Sequence, residues 1–157
     1  MKKLLLMVLC SAGALVYADA DLRVKNFAKP AKGSSEIVSA GWLDYSLKIT
    51  APADGDSEVV YNKLFSFNPR MFYKVQGDLS GDGKVFVKIY FFNKDGTPYK
   101  VAEKSAVVHQ EWDEFESRFN LSEFTLADAP HKFKIAVGVK KGGTVVLDDL
   151  ELEVDND

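Results

Sequence analysis

The stretch Gly77–Val85, GDLSGDGKV, decides how the chain is read, because it fits two different structures. From its first aspartate it begins like the calcium loop of an EF-hand, with oxygen-bearing side chains at alternating positions and then glycine. The twelfth position of such a loop should be a bidentate carboxylate, but here it is Ile89. Both flanks alternate apolar and polar residues, as strands do. The stretch therefore predicts a hairpin with a loop at Ser80–Lys84, in which Gly81 and Gly83 supply positive φ.

Such a hairpin fixes which side chains share a face. Leu79 would face Val85 and Tyr73 would face Phe91, so that the odd-numbered residues fill the interior. The even-numbered side chains would form one outward surface, made of Phe72, Lys74, Gln76, Asp78, Phe86, Lys88, Tyr90 and Phe92. A sheet face open to water rarely has three phenylalanines and a tyrosine. Either another segment partly covers this surface, or it is a surface for a ligand.

The rest of the chain also alternates with a period of two. Strands are predicted within residues 42–49, 111–119, 131–139 and 144–154, and turn-rich segments such as PADGDS, NKDGTP and KKGG separate the apolar runs. One short helical candidate is LSEFTLADAP, residues 121–130. Many short strands with frequent turns predict an all-β fold, an antiparallel two-sheet β-sandwich or jelly roll.

The N-terminus has the features of a secretory signal peptide. Lys2 and Lys3 precede the apolar run LLLMVLCSAGALVYA, and Ala18-Asp19-Ala20 supplies small residues for cleavage after Ala18 or Ala20. We therefore expect residues 1–20 to be the signal and residues 21–157 to be a single domain, secreted or periplasmic, from a bacterium. No second apolar segment is long enough to span a membrane.

Composition and the absence of certain motifs argue against several classes of function. Removing the signal peptide takes away two lysines, one aspartate and the single cysteine, so the net charge changes from −3 to −4. A mildly acidic chain argues against a nucleic-acid partner. His109 and His131 do not form a metal-spaced pair, and no nucleophile elbow is present. We therefore predict that the protein is not an enzyme.

The order of three segments carries a resemblance to a known family. FYKVQGDLSGDGKVFVKIYFFNKDG, EWDEFESRFNLSE and KFKIAVGVKKGGTVVLDDLELEV follow one another much as in jelly-roll carbohydrate-binding modules of the family 4/9/22 group, which accompany xylanases and glucanases. The matching residues are Tyr73, Val75, Gly77, Trp112, Phe115, Phe119, Asp148 and Asp149. The resemblance spans roughly Leu43 to Val154 and implies a galactose-binding-like β-sandwich. The segment VKNFAKPAKGSSE departs from the family, because it lacks the usual glycine-phenylalanine-glutamate.

Modules of this group bind glycans through aromatic side chains, on a concave sheet or at a loop edge. The resemblance therefore makes Tyr90, Phe92 and Trp112 candidates for stacking on sugar rings, whose C–H faces are apolar. Gln76 and Lys74, together with the Tyr90 hydroxyl, could bond to the sugar hydroxyls.

The resemblance also implies a structural calcium ion. In the family, a glutamate near the N-terminus and an aspartate of the last strand often hold it, so Asp148 or Asp149 would be the surviving ligand. The alternative is that these acidic side chains bond to nearby backbone amides.

The function predicted from the sequence is that of a secreted, non-catalytic carbohydrate-binding module. Its ligand would be a polysaccharide or surface glycan, held by stacking and hydrogen bonds. The alternative is a structural or protein-interaction β-sandwich of an extracellular or envelope assembly, in which a protein partner covers the same aromatic face.

Overall fold

The computed structural model describes residues 20–39, 45–108, 112–119 and 130–156. Trp42, His109 and nearly all of the signal peptide and helical candidate lie outside these ranges. The described residues form one 3-10 helix (Val24–Asn26) and ten strands: β1 (Ala20–Asp21), β2 (Ser34–Ser39), β3 (Tyr45–Thr50), β4 (Ser57–Val60), β5 (Phe65–Ser66), β6 (Met71–Phe92), β7 (Pro98–Val108), β8 (Asp113–Phe119), β9 (Lys132–Val139) and β10 (Thr144–Asn156).

The strands form two antiparallel sheets that share one strand. In the first sheet the order is β2-β3-β10-β6-β8, and β1 pairs with the C-terminal half of β10. In the second sheet the order is β7-β6-β9-β4, and β5 also pairs with β9. The predicted all-β sandwich is confirmed. Sequence alternation alone did not find β1, β2, β4, β5 and β7.

The stretch GDLSGDGKV does not close a hairpin. It lies inside β6, a continuous strand of 22 residues that takes part in both sheets. Residues 71–82 pair with β8 and β10, whereas residues 83–92 pair with β7 and β9. Leu79 lies opposite Leu147 and Asp113, so its predicted pairing with Val85 is wrong, as is that of Tyr73 with Phe91.

The two glycines of this stretch do adopt the positive φ that the sequence predicted. The φ angles of Gly81 and Gly83 are 125° and 141°. A Cβ atom on Gly81 would lie 2.4 Å from the carbonyl oxygen of Thr144, so the backbone here passes very close to β10. The glycines therefore allow one strand to bend from one sheet into the other, which is a known way of making the corner of a sandwich.

Both halves of β6 turn their odd-numbered residues into one core, as predicted. The buried residues are Tyr73, Val75, Leu79, Val85, Val87, Ile89 and Phe91. The Tyr73 ring contacts the Phe133 ring of β9 edge-to-face, with centroids 4.9 Å apart, so the first sheet packs against the second. Because the halves belong to facing sheets, their even-numbered side chains lie on opposite outer surfaces. The prediction of one continuous outward surface is therefore wrong.

The predicted alternation also holds in β8 but fails at the start of β3, where Ser46 was expected to point outward and is only 1% exposed. Phe115, Ser117 and Phe119 of β8 are buried as expected. Tyr45 was expected to share a face with Leu47, but it is 62% exposed, because it is the first residue of β3 and lines an open cavity. The only helix in the described part of the chain has three residues, so none there could span a membrane.

Candidate functional site

The outer surface of the second sheet has two adjacent aromatic side chains flanked by lysines. Tyr90 lies directly opposite Lys134 on β9, and Phe92 lies opposite Lys132. Both aromatic side chains are half-buried, and Lys132 is exposed. Residues two apart on a strand share a face about 6.6 Å apart. We call these four residues the lysine–aromatic face.

Next to this face, Glu58 of β4 reaches over β9 to two side chains of β6. Its carboxylate accepts a hydrogen bond from the Tyr90 hydroxyl and lies 2.5 Å from the Lys88 Nζ atom. Lys88 is also 3.9 Å from Glu103 of β7. The Tyr90 ring is thus fixed by its hydroxyl, and its orientation on the sheet is set before any ligand arrives.

Small residues of β9 make room for this arrangement. Ala136 lies opposite Lys88, and Gly138 lies opposite Phe86. A Cβ atom on Gly138 would be 2.4 Å from the Phe86 Cζ atom, so only glycine lets the Phe86 ring lie flat across β9. Glu58 can cross the strand for the same reason, since no large side chain stands between β4 and β6.

Phe86 itself is not available to a ligand. Its side chain is 0% exposed although it points outward, because two ammonium groups cover it. Lys140 Nζ lies 4.3 Å from the ring centroid and Lys88 Nζ lies 4.7 Å from it, within the range of cation–π contacts. The expectation that the aromatic surface is partly covered is therefore correct at Phe86, whereas Tyr90 and Phe92 keep part of their surface open.

The surroundings of Tyr90 favour the protonated form of its hydroxyl group. Burial and the hydrogen bond to Glu58 raise the pKa of the Tyr90 hydroxyl well above its usual value. The hydroxyl is therefore a hydrogen-bond donor to Glu58 at any physiological pH, and the ring remains neutral.

The outer surface of the first sheet is different in kind. Lys74 forms ion pairs with Glu153 and, at 3.8 Å, with Glu116. Gln76 donates a hydrogen bond of 3.3 Å to Glu151. Gln76, Glu116 and Glu151 also border a cavity of about 620 Å³, and its lining further includes Asp78, Glu114 and Asp149. We call the outer surface of the first sheet around these residues, including Lys74 and Glu153, the acidic face.

The five predicted ligand-binding residues are thus divided between the two sheets. Lys74 and Gln76 lie together on the acidic face, and Tyr90 and Phe92 lie together on the lysine–aromatic face. Trp112 directly precedes β8, at the edge of the first sheet, and is 55% exposed. The structure does not bring the five together into one surface.

The two aspartates that the resemblance implied as calcium ligands lie at an irregularity of β10. The pairing of β10 with β6 shifts between Asp148 and Glu151, and Asp149 has a φ of 44°. The Asp149 backbone N–H donates a 3.0 Å hydrogen bond to the Asp148 carboxylate, which is the alternative role considered above. Among the residues that the structure describes, no three acidic, histidine or cysteine side chains are arranged to hold a metal ion, so the pair does not fit a calcium site by itself. Calcium binding here stays a prediction.

Charge is distributed unevenly between the two sheets. Among the strand residues, the first sheet has twelve acidic and three basic side chains, if β6 is divided after Asp82. The second sheet has two acidic and six basic ones, and the basic residues are Lys84, Lys88, Lys100, Lys104, Lys132 and Lys134. A chain with a net charge of −3 therefore has one basic sheet.

Sequence reasoning did not select Lys132, Lys134 or Glu58. The alternation of β9 did place both lysines on the outer side of their strand, which was the available signal. Their position beside Tyr90 and Phe92 depends on the pairing of β9 with β6, two strands about 40 residues apart in the sequence. Glu58 lies in β4, which alternation did not identify as a strand.

Comparison with known proteins supports the fold. No protein-family model matches the sequence, and no curated protein sequence matches it. Among solved structures, the family 11 carbohydrate-binding module of a cellulosomal cellulase of Clostridium thermocellum is similar, with a TM-score of 0.61, 15% identity and coverage of 89% of this chain and 96% of that one. A xylan-binding family 22 domain from Paenibacillus barcinonensis has a TM-score of 0.59, 7% identity and coverage of 89% and 94%.

Larger proteins contain the same fold as one part. The chain covers only 20% of the enzymatically active domain of a tailspike protein from bacteriophage CBA120, at a TM-score of 0.59 and 8% identity, while 85% of this chain is covered. At these identities the similarity shows the fold alone. It confirms the predicted resemblance to jelly-roll carbohydrate-binding modules at the level of the fold.

Proposed function

We propose that this protein is a secreted, non-catalytic module that binds a polysaccharide through the lysine–aromatic face. The observation that carries the proposal is the pair of neighbouring, partly exposed aromatic rings at Tyr90 and Phe92. Aromatic rings are suited to the apolar faces of sugar rings, and the lysines beside them can donate hydrogen bonds to hydroxyl groups.

The structural neighbours support a glycan as the ligand. A second structure of the family 11 module from Clostridium thermocellum is a complex with a β-1,3-1,4-mixed-linked tetrasaccharide, at 18% identity to this chain and a TM-score of 0.58. Since an equal fold can serve other functions, the argument for this chain depends on its own aromatic side chains.

The second sheet is a better candidate than the first. On the acidic face the polar side chains of Lys74 and Gln76 are already bonded to glutamates. The outward aromatic residues described there, Phe72 and Trp112, lie at opposite ends of the pairing of β6 with β8 and are not neighbours. On the lysine–aromatic face two rings are adjacent, and Lys132 and Lys134 form no ion pair within the described residues. A ligand there would displace no ion pair of these two lysines.

Affinity electrophoresis of the mature chain in gels containing soluble xylan, mixed-linkage glucan, mannan, galactan or polygalacturonate tests the proposal. We expect at least one polysaccharide to retard the protein. Tyr90→Phe should keep most of the retardation, whereas Phe92→Ala and Tyr90→Ala should each weaken binding about tenfold.

Trp112→Ala is the matched control, since it removes an exposed aromatic ring from the other sheet. If Trp112→Ala abolished the retardation and Phe92→Ala did not, the binding face would be misassigned. If no polysaccharide retarded the wild-type protein and light scattering showed a specific oligomer, the alternative role in protein interaction would replace this one.

A further inference from the structure

The charge of the second sheet indicates which polysaccharides this module would bind. On its outer side, four of the six charged strand residues are lysines (Lys84, Lys88, Lys132 and Lys134), whereas the first sheet is strongly acidic; Lys100 and Lys104 lie opposite core residues of β6 and so on the other side. A surface of one sign attracts polymers of the opposite sign and raises their local concentration. The acidic face would repel the same polymer, so the charge distribution orients the protein as well.

Not all the lysines of this sheet are free to meet a ligand. Lys88 is 2.5 Å from Glu58, and Lys140, which follows β9, is 2.8 Å from Glu103 and 3.1 Å from Asp56. These ion pairs neutralise the end of the surface where Phe86 is covered. At the other end of the surface, near Phe92, no carboxylate of the described residues forms an ion pair with Lys132 or Lys134.

Lys132 and Lys134 lie at that end and have no ion-pair partner within residues 20–39, 45–108, 112–119 and 130–156. Each stands directly across from an aromatic ring, Lys132 from Phe92 and Lys134 from Tyr90. Each of the two aromatic rings therefore has one lysine as its direct neighbour on the adjacent strand. A polymer that presents an acidic group next to each of two sugar rings matches this arrangement.

We propose that the ligand is an acidic polysaccharide, one whose carboxylate or sulfate groups pair with Lys132 and Lys134 while its sugar rings lie on Phe92 and Tyr90. This inference rests on the proposed function and adds the chemical class of the ligand. A neutral glycan would use the aromatic rings equally well and could accept hydrogen bonds from the two lysines, but it would have no negative charge to pair with them.

The test compares polymers that share a backbone and differ in charge. Polygalacturonate and its fully methyl-esterified form differ only at the carboxyl group, and dextran sulfate and dextran differ only in sulfate. We expect the mature chain to bind one acidic member about tenfold more tightly than its neutral counterpart at low ionic strength. The difference should shrink as salt is added, because ions screen exposed charges.

Variants of the two lysines test whether these residues cause the preference for acidic polymers. Lys132→Gln and Lys134→Gln should each weaken binding to the acidic polymer about two- to fivefold, since exposed ion pairs are individually weak. Binding to the neutral polymer should fall less, because glutamine can still donate hydrogen bonds to hydroxyl groups but carries no charge. Lys104→Gln is the matched control. It removes the same charge from β7, where Lys104 lies opposite the core residue Val87 and so on the other side of the sheet. Thermal unfolding of each variant shows that it folds.

The outcomes separate this inference from the proposed function. Equal binding of acidic and neutral polymers would overturn the ligand class and leave carbohydrate binding intact, whereas no binding to any polymer would overturn both. If only the sulfated polymer binds, the acidic groups are sulfates; if only polygalacturonate binds, they are carboxylates. Tighter binding to single-stranded DNA of equal length and charge would overturn the inference, as would self-association that Lys132→Gln and Lys134→Gln abolish.

Discussion

The two halves of β6 have the same alternation but opposite surroundings. In residues 71–82 the outward Lys74 and Gln76 lie among glutamates of β8 and β10. In residues 83–92 the outward Tyr90 and Phe92 lie among lysines of β9. Alternation decides which side chains point outward, but the chemistry of each surface is decided by neighbouring strands that come from elsewhere in the chain.

The bend at Gly81 and Gly83 separates these two halves. We therefore expect a substitution there to lower the free energy of unfolding more than the other substitutions discussed below. We expect Gly81→Ala to lower the free energy of unfolding by about 3 kcal/mol, because alanine disfavours a φ of 125° and its Cβ would meet the Thr144 carbonyl oxygen at 2.4 Å. Urea unfolding followed by fluorescence measures the change.

Gly55→Ala is the control for this prediction. A Cβ atom on Gly55 would meet only the Lys32 side chain, at an ordinary 3.5 Å, so stability should change little. Equal effects of the two substitutions would show that the bend imposes no special constraint on β6.

Two ion pairs, one on each sheet, differ in burial, and this difference predicts a smaller change in stability. The side chains of Glu58 and Lys88 are each 22% exposed, whereas those of Lys48 and Glu36 are 38% and 60% exposed. Glu58→Gln should therefore destabilise the protein by about 1 kcal/mol, because it weakens hydrogen bonds to both Lys88 and Tyr90. Glu36→Gln should cost less than about 0.5 kcal/mol, as exposed ion pairs do. The reverse order in urea midpoints would contradict this view of the second sheet.

A third prediction concerns the protonation of Tyr90. Burial and the bond to Glu58 raise the pKa of its hydroxyl, so the folded protein holds this proton more tightly than the unfolded chain does. The resulting stability is present below a pH of about 10 and is lost as the pH rises through the raised value.

Phenolate absorbance during an alkaline titration detects this effect. Wild-type protein should have a tyrosine that ionises later than the exposed ones, and Tyr90→Phe should remove that late component. Glu58→Gln should move it toward ordinary values, whereas Glu36→Gln should not. A late component that persisted in Tyr90→Phe would assign the raised pKa to another tyrosine.

The parts of the fold that could be predicted from the sequence are those that depend on local alternation. The burial of Tyr73, Val75 and Ile89 followed from a period of two, and the positive φ at Gly81 and Gly83 followed from glycine itself. The same glycines also fit a hairpin loop, and only the pairing of β6 with β9 and β10 distinguishes a hairpin from a bend. That pairing is non-local, so the sequence could not supply it.

The candidate site could be predicted only in part, again because it depends on non-local strand pairing. Tyr90 and Phe92 were identified as outward aromatics on their own strand. Their grouping with Gln76 and Lys74 assumed the hairpin and is lost with it, and their lysine neighbours come from a distant strand. The contact of Glu58 with Tyr90 crosses a whole strand and has no signal in a single sequence.

The most direct test of this account is an NMR titration of the mature protein with a retarding polysaccharide fragment, because it reports both outer surfaces at once. We predict that the amide signals of Tyr90, Phe92, Lys132 and Lys134 shift with added ligand, while those of Gln76, Glu116 and Glu151 on the acidic face stay unchanged. Shifts confined to the acidic face, or spread equally over both sheets, would contradict the claim that the lysine–aromatic face is the binding surface.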